Sequence, residues 1–361
     1  MVVEKTSSEK SNRSDRIRRA AFILIGFVIS GVALFSIFKD IDFQKVLDSA
    51  DRIRLMPLIG SIAIYWCVGI VSRAGLVRFL LRSIGVVPLS RAYRYICVGF
   101  LVNNVMPLRM GEVVRIGGIA RSSNLGFASV AGGLAVERLL DMVFAALFGL
   151  VAIIIAPMSD DFRNAVLVPD STMAATFEGI RTAVFFIGPG MVAILIFFMF
   201  IARQNLKKLD ASKHGRITVF VWNLVIRFAE GFGMLGTWRG VLGAFALSSL
   251  IWTSVIAVML LRLAAFDLPP SLPIVFVLVF SLGLSVALPS APGYVGVYHA
   301  AAAMALMLFG VEEEVALGFA IFSHFTDILP GNILGMGSMA IEGLSFRDLR
   351  RRDQSSQCSI G

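Results

Sequence analysis

The sequence predicts an all-α polytopic membrane protein, and its composition and its apolar runs carry that prediction. Of its 361 residues, 57% are hydrophobic and only 16% are charged, and the mean hydropathy is +0.82. Soluble domains average about a quarter charged residues. Several apolar runs reach the roughly twenty residues that a transmembrane helix needs, and no pattern of short alternating β segments is found.

The distribution of charge indicates how the chain is oriented. The net charge of +9 is carried by the terminal tails and by short loops between apolar runs, which is typical of topology selection and disfavours nucleic-acid binding. We expect both termini in the cytoplasm as basic tails, at 1–19 and 343–361, around one transmembrane domain at 20–342. The first apolar run lacks a signal-peptide cleavage site, so we interpret it as a retained span. The three cysteines show neither disulfide nor metal spacing.

Six apolar runs are predicted to cross the membrane completely. A basic stretch without acids follows the second run, and its apolar spacing predicts an amphipathic helix on the cytoplasmic surface, beginning at Arg73. The six predicted spans cover about residues 20–38, 55–72, 129–156, 182–202, 240–262 and 315–341.

Two further segments, at about 92–127 and 271–310, are predicted to be re-entrant hairpins. The neighbouring loops place both ends of each segment on one side of the membrane, and each segment contains a break between two half-length apolar pieces. The chain therefore has about eight apolar elements. Opposed broken helices in the two halves of a chain are typical of a transporter site near the bilayer midplane.

The first break, at 103–115, is unusually polar for a segment at membrane depth. A helix that begins near Pro107 would place Arg109, Glu112 and Arg115 on one face. The two guanidinium groups suit a phosphodiester head group, with Glu112 orienting them or meeting a cationic group. The alternative interpretation is an interface helix anchored on anionic lipid.

A charged group lies well inside the apolar run at 129–156. Glu137 and Asp141 share a helix face, and Arg138 can reach Asp141 one turn away. Because unpaired charges at this depth are costly, the group indicates either an ion-pair cluster with Arg109 or Arg115 or direct contact with a ligand. The predicted head-group site comprises Asn103, Asn104, Arg109, Glu112, Arg115, Glu137, Arg138 and Asp141.

The second break, at 288–299, repeats the combination of proline and glycine in the other half of the chain. Irregular backbone at membrane depth is tolerated only inside protein or beside a wet cavity. We therefore interpret both breaks as hinges of broken helices. The predicted hinge residues are Pro107, Gly111, Pro289, Pro292, Gly293 and Gly296.

Three titratable residues near the end of the chain suit a proton or polar relay. His299 follows the second break, and His324 and Asp327 lie one turn apart in the last run. Histidine titrates near neutral pH. The alternative is an interhelical hydrogen bond, which is the more common role of a single intramembrane histidine.

Signatures of several enzyme classes are not found in the sequence. It contains no Walker motif, zinc-protease motif or serine-nucleophile elbow, and we expect no cofactor and no metal. Asp40 and Asp42 follow the first run on its predicted outer side, where a glycosyltransferase for lipid-linked sugars would keep metal-binding acids. They motivate an enzymatic alternative.

The order of these motifs resembles the lysylphosphatidylglycerol synthase transmembrane-region family, also called flippase-like proteins. The resemblance rests on the motifs of the first break, the Glu137-Arg138 pair with Asp141, and the Pro-Gly motif of the second break, over about residues 15–345. It implies a multi-pass inner-membrane protein of a bacterium or archaeon that moves aminoacylated phospholipid between leaflets. Some relatives are associated with hopanoid or isoprenoid-linked glycolipid pathways. Bifunctional members carry a soluble aminoacyl-transferase domain, which we do not expect in the short tail after the last run.

The residues and the resemblance together favour a transporter rather than an enzyme. The predicted function is a lipid translocase of the flippase or scramblase type, which moves the head group of a phospholipid or isoprenoid-linked lipid. The expected partners are an anionic or aminoacylated phospholipid, or an isoprenoid or hopanoid lipid, and a separate lipid-modifying enzyme. Two alternatives stay open: an integral membrane glycosyl or head-group transferase that uses Asp40 and Asp42 or Glu137 and Asp141, and a non-catalytic partner of a lipid-modifying enzyme.

Overall fold

The computed structural model describes residues 53–106, 109–166, 216–287 and 290–344, with isolated residues between 24 and 44 and between 175 and 200. Every regular element in these ranges is helical, which confirms the predicted all-α fold. The helices are α1 (Leu55–Ile64), α2 (Ile70–Leu80), α3 (Leu89–Val105), α4 (Met110–Ser122), α5 (Phe127–Ile155), α6 (Asp160–Val166), α7 (Arg216–Glu230), α8 (Trp238–Ala265), α9 (Leu272–Ala287), α10 (Val297–Met307) and α11 (Glu313–Ile341).

Three of the described helical stretches are long and apolar enough to cross a membrane: Leu55–Ser83, Phe127–Met158 and Trp238–Ala265. At 1.5 Å per residue each is longer than the roughly 30 Å hydrocarbon core. The protein is therefore a membrane protein. The predicted spans at 20–38 and 182–202 are described only in part, so the number of spans and the side of the termini stay predictions.

The second span is longer than the sequence predicted. A π-helical segment, Tyr65–Gly69, joins α1 to α2 in one continuous helical stretch that ends at Ser83. The predicted surface helix after Arg73 is wrong, because Leu76 and Leu80 are fully buried against side chains of α5 and α8. Arg73 consequently lies within this helical stretch, and its side chain points into the protein interior.

The first predicted hairpin is formed by α3 and α4, which pack antiparallel. The Arg91 guanidinium donates to the Ser122 carbonyl at 2.7 Å at the open end. Near the tip, a Cβ on Gly99 would lie only 3.2 Å from the Gly111 carbonyl oxygen. With 13 residues, α4 is about 20 Å long and is too short to span a bilayer alone. Pro107, the predicted hinge, lies outside the described residues.

The second predicted hairpin is formed by α9 and α10, with a short 3₁₀ turn at Pro292–Tyr294. Gly293 and Gly296 adopt φ angles of +69° and +92°, which glycine reaches at little cost. This tip meets the tip of the first hairpin, since a Cβ on Gly293 would lie 3.6 Å from the Asn104 carbonyl oxygen. Pro289 lies outside the described residues.

Candidate functional site

A cavity of about 270 Å³ lies where the two hairpin tips meet. Its walls come from the π-helical segment, α2, both hairpins, α5, α8 and α11. The volume lies just below the usual range for small-molecule sites, about 300–1,000 Å³. The charged and amide side chains that line it are Arg73, Asn103, Asn104, Arg109, Glu112, Arg115, Arg138 and Asp327.

Glu137 is the centre of a charged cluster behind one wall of this cavity. Its carboxylate has no exposed surface, and it accepts from Arg73 at 2.7 Å and from Arg115 at 2.5 Å. Arg73 also donates to Asp141, at 2.8 Å and 3.2 Å through its two terminal nitrogens. These bonds tie α2, α4 and α5 together through one buried carboxylate and its neighbour.

Arg138 extends the cluster towards the cavity. Its guanidinium pairs with Glu112 at 2.9 Å and with Asp141 at 3.2 Å. The cluster therefore contains three arginines and three carboxylates and is neutral as a whole. Neutral pairing is what makes charges tolerable at this depth, because each unpaired ion would cost several kcal/mol. We define the ionic cluster as Arg73, Glu112, Arg115, Glu137, Arg138 and Asp141.

The structure shows which arginines pair with the acids of α5, and this differs from the sequence prediction for Arg109 and Arg73. Arg115 joins the ionic cluster, whereas Arg109, the other suggested partner, does not. Arg73 is a central member that sequence reasoning missed, because its basic neighbours suggested a surface helix. A signal was present in the sequence: Glu137 and Asp141 lie one helix turn apart inside an apolar run, and two such acids require a nearby cation. Arg73 is that cation.

Arg109 lies outside the helix face on which the sequence placed it. The helix α4 begins at Met110, and Arg109 precedes it with a left-handed φ of +54°. The predicted common face of Arg109, Glu112 and Arg115 is therefore wrong, because only the last two are helical. The guanidinium is exposed and lies 6.0 Å from the centre of the Tyr294 ring on the opposite hairpin. Within the described ranges it has no ion-pair partner.

The two predicted asparagines stabilise the broken segment. The side chain of Asn103 accepts from the Gly111 backbone N–H at 2.8 Å, which satisfies a donor that the start of α4 would leave unpaired. Asn104 donates to Asn332 of α11 at 2.9 Å. Both side chains also line the cavity. Both asparagine side chains thus form hydrogen bonds within the protein while they line one end of the predicted head-group site.

A second polar group lies on the α10 and α11 side of the cavity. His299 Nδ1 accepts from the Gly296 backbone N–H at 3.2 Å, and its Nε2 lies 3.3 Å from Nδ1 of His324. Asp327 forms no hydrogen bond or ion pair with these histidines and accepts instead from Arg262, once at 3.0 Å. Arg262 has no exposed surface. Sequence reasoning missed Arg262, a single arginine near the end of an apolar run. The predicted relay through His299, His324 and Asp327 stays a prediction.

The described residues contain no group of three or more His, Cys, Asp or Glu side chains that could hold a metal ion. Glu137 and Asp141 are each held by arginines, so neither carboxylate is free to ligate one. Asp40 and Asp42, the sequence-based candidates for metal binding, lie outside the described residues.

Comparison with known proteins identifies the family. The profile of the family described as "Lysylphosphatidylglycerol synthase TM region" matches residues 23–335, which includes both hairpins and the cavity. The chain belongs to this family. The resemblance noted from the motifs is thereby confirmed, and the chain is a membrane protein of a lipid-related family. No solved structure matches it.

One curated relative of this lysylphosphatidylglycerol synthase TM-region chain is similar over most of its length. It is the glycosyltransferase AglD of Haloferax volcanii, which is 28% identical over 354 residues. The match covers 90% of the present chain but only 55% of that relative. The chain thus spans about half the length of the curated relative that it matches.

Proposed function

We propose that the protein is a lipid translocase of the flippase or scramblase type, which binds a phosphate-bearing head group in the cavity between the two hairpin tips. Arg109 is the observation that carries this proposal. It is the cavity cation for which the described residues supply no carboxylate, and it lies on a broken helix beside the opposite hairpin. An exposed guanidinium in a partly apolar cavity is suited to bind a phosphate.

The charge around the cavity supports an anionic ligand. Among the described residues, five arginines surround it or lie directly behind it, and four carboxylates oppose them, which leaves one positive charge. Because the other four arginines are paired, the excess charge resides on Arg109. One phosphodiester carries one negative charge and would neutralise the site.

The size of the cavity supports a binding mode in which the protein holds the head group of the lipid and the bilayer holds its acyl chains. A volume of about 270 Å³ is on the scale of a small head group rather than of a whole lipid. The chains of a lipid would therefore stay in the hydrocarbon region while the head group passes between the broken helices. This arrangement suits movement of lipid between leaflets, and the family resemblance suggests that the inner membrane is where it takes place.

We expect Arg109→Ala to lower lipid movement at least tenfold, since a hydrogen bond to a charged group contributes about 1.5–3 kcal/mol. The protein is reconstituted into liposomes, and the accessibility of fluorescent anionic and aminoacylated head groups is measured over time. Arg121→Ala is the matched control, because Arg121 is exposed on the same hairpin and does not line the cavity. Wild-type exchange in folded Arg109→Ala protein would remove the proposal.

The relative's description as a glycosyltransferase favours a second candidate, an integral membrane transferase. Its acids would be Asp40 and Asp42, since Glu137 and Asp141 are already held by arginines. The test supplies purified protein with a labelled nucleotide sugar and an isoprenyl phosphate, and compares wild type with Asp40→Asn/Asp42→Asn. Product that depends on these acids would support the transferase, whereas equal turnover in the double variant would eliminate this version.

A further inference from the structure

The three acids of the ionic cluster are not equivalent. Glu137 is fully buried and Asp141 is 16% exposed, whereas the side chain of Glu112 is 31% exposed. Glu112 has one close partner, Arg138 at 2.9 Å, and a distant one, Arg115 at 3.8 Å. It is therefore the least tightly held acid of the cluster.

Glu112 is also the one acid of the ionic cluster that lines the cavity. All three arginines of the cluster reach the cavity wall, while Glu137 and Asp141 lie behind it. The Glu112 carboxylate thus shares the cavity wall with the two guanidinium groups that it pairs with, at a place where an incoming phosphate would meet them. A carboxylate and a phosphate offer arginine the same kind of acceptor oxygens.

The two arginines next to Glu112 keep unused hydrogen-bonding capacity. The Nε atoms of Arg115 and Arg138 are buried, and within the described part of the chain neither has a hydrogen-bond partner. Arg115 itself is only 3% exposed. A buried guanidinium donor without a partner is costly. Because both Nε atoms are shielded, a ligand in the cavity would reach them only when the side chains around them move.

We infer that Glu112 is a built-in competitor for the anionic head group: its carboxylate occupies the place of a phosphate until the ligand displaces it from Arg115 and Arg138. The exchange conserves charge, because one monoanion replaces another at the two arginines. The released Glu112 carboxylate then lies in the cavity beside the ligand. The inference rests on the proposed head-group site, but it concerns binding and not movement.

The test measures affinity in full-length protein purified in a maltoside detergent, which carries no phosphate. Dihexanoyl phosphatidylglycerol and, separately, inorganic phosphate are titrated by calorimetry into the wild type and into Glu112→Gln. We expect Glu112→Gln to bind the short-chain lipid about fivefold more tightly, the scale of a partly exposed ion pair. Glu112→Asp keeps the charge and should bind within twofold of the wild type. Glu112→Ser tests the same expectation if the glutamine variant does not fold.

Glu342→Gln is the matched control, because Glu342 pairs with Arg94 at 2.6 Å away from the cavity and its loss should leave the affinity unchanged. Weaker or unchanged binding in the folded Gln and Ser variants would overturn the inference, because it would mean that Glu112 only holds the arginines in place. A gain for inorganic phosphate alone would support displacement but assign the site to a free anion, which would count against a lipid head group. A gain in lipid affinity without lipid movement in liposomes would uphold the inference and remove the translocase proposal.

Discussion

At the scale of single residues, Glu137 connects more of the molecule than any other acid of the ionic cluster. Its two oxygens accept from arginines of two different helices, and the carboxylate has no access to solvent. Such a group contributes little net stability when it is paired, because its desolvation offsets its attraction to the arginines. Its removal has a much larger effect, since it leaves buried guanidinium groups without a counter-charge.

We therefore expect Glu137→Gln to destabilise the protein by about 3 kcal/mol, which is the usual cost of breaking a buried ion pair. Thermal unfolding of the purified protein, followed by tryptophan fluorescence, measures this. Asp267→Asn is the control, because its pair with Arg54 is largely exposed and should contribute less than about 1 kcal/mol. Equal effects of the two substitutions would show that the ionic cluster is hydrated rather than buried.

The residues that could be found from the sequence were those whose position in an apolar run was conspicuous. Glu137, Arg138 and Asp141 stood out because they lie far from either end of their run. Arg73 and Arg262 did not, because each lies near the end of a predicted span, where an arginine can reach the membrane surface with its long side chain. Only the three-dimensional partners of these arginines, the acids on other helices, reveal that both point inward.

At the scale of helices, close contact between backbones determines how the first hairpin forms. A Cβ on Gly111 would meet the Gly99 carbonyl oxygen and lie 2.5 Å from the Asn103 side-chain oxygen. The glycine and proline signals predicted that a break occurs here, but not where α4 begins. The left-handed conformation of Arg109 could not be predicted, because few residues other than glycine adopt a positive φ.

We expect Gly111→Ala to destabilise the protein by about 1–3 kcal/mol, the usual cost of overpacking, because α3 and α4 must separate. Gly117→Ala is the matched control on the same helix, where the added Cβ would lie an ordinary 3.8 Å from Phe127. The control should be neutral or slightly stabilising, since alanine favours helix over glycine. Thermal unfolding compares the two, and equal stability would mean that the hairpin can open without cost.

At the scale of the whole molecule, the two halves of the chain meet through their broken segments. Sequence reasoning predicted two opposed hairpins, and the structure brings Asn104 of the first within contact of Gly293 of the second. It could not predict how α11 holds them together, because the Asn104–Asn332 bond joins residues 228 positions apart. Such distant pairings leave no periodic signal in the sequence.

If the cavity is hydrated, a cysteine in it should react with a membrane-impermeant thiol reagent. We expect rapid labelling of Asn104→Cys in open membrane fragments, in a background with Cys67 and Cys358 replaced by serine, because Cys67 is exposed. Leu150→Cys is the control, because Leu150 is half-exposed on the apolar surface of α5 and should face lipid. Native Cys97 is fully buried and should not react. Equal labelling at positions 104 and 150 would contradict a wet site between the hairpins.

The π-helical segment sets the rotational phase of the second span. Each residue of an α-helix advances the side chain by about 100°, and a π turn takes up one residue more than an α turn. All positions after Gly69 are therefore rotated by more than a quarter of a turn relative to an uninterrupted helix. Deletion of one residue between Tyr65 and Arg73 would convert the π turn to an α turn and keep the guanidinium facing Glu137 and Asp141, whereas insertion of one residue would swing it away. Along this part of the chain, the loss of one residue is therefore expected to be tolerated far better than the gain of one.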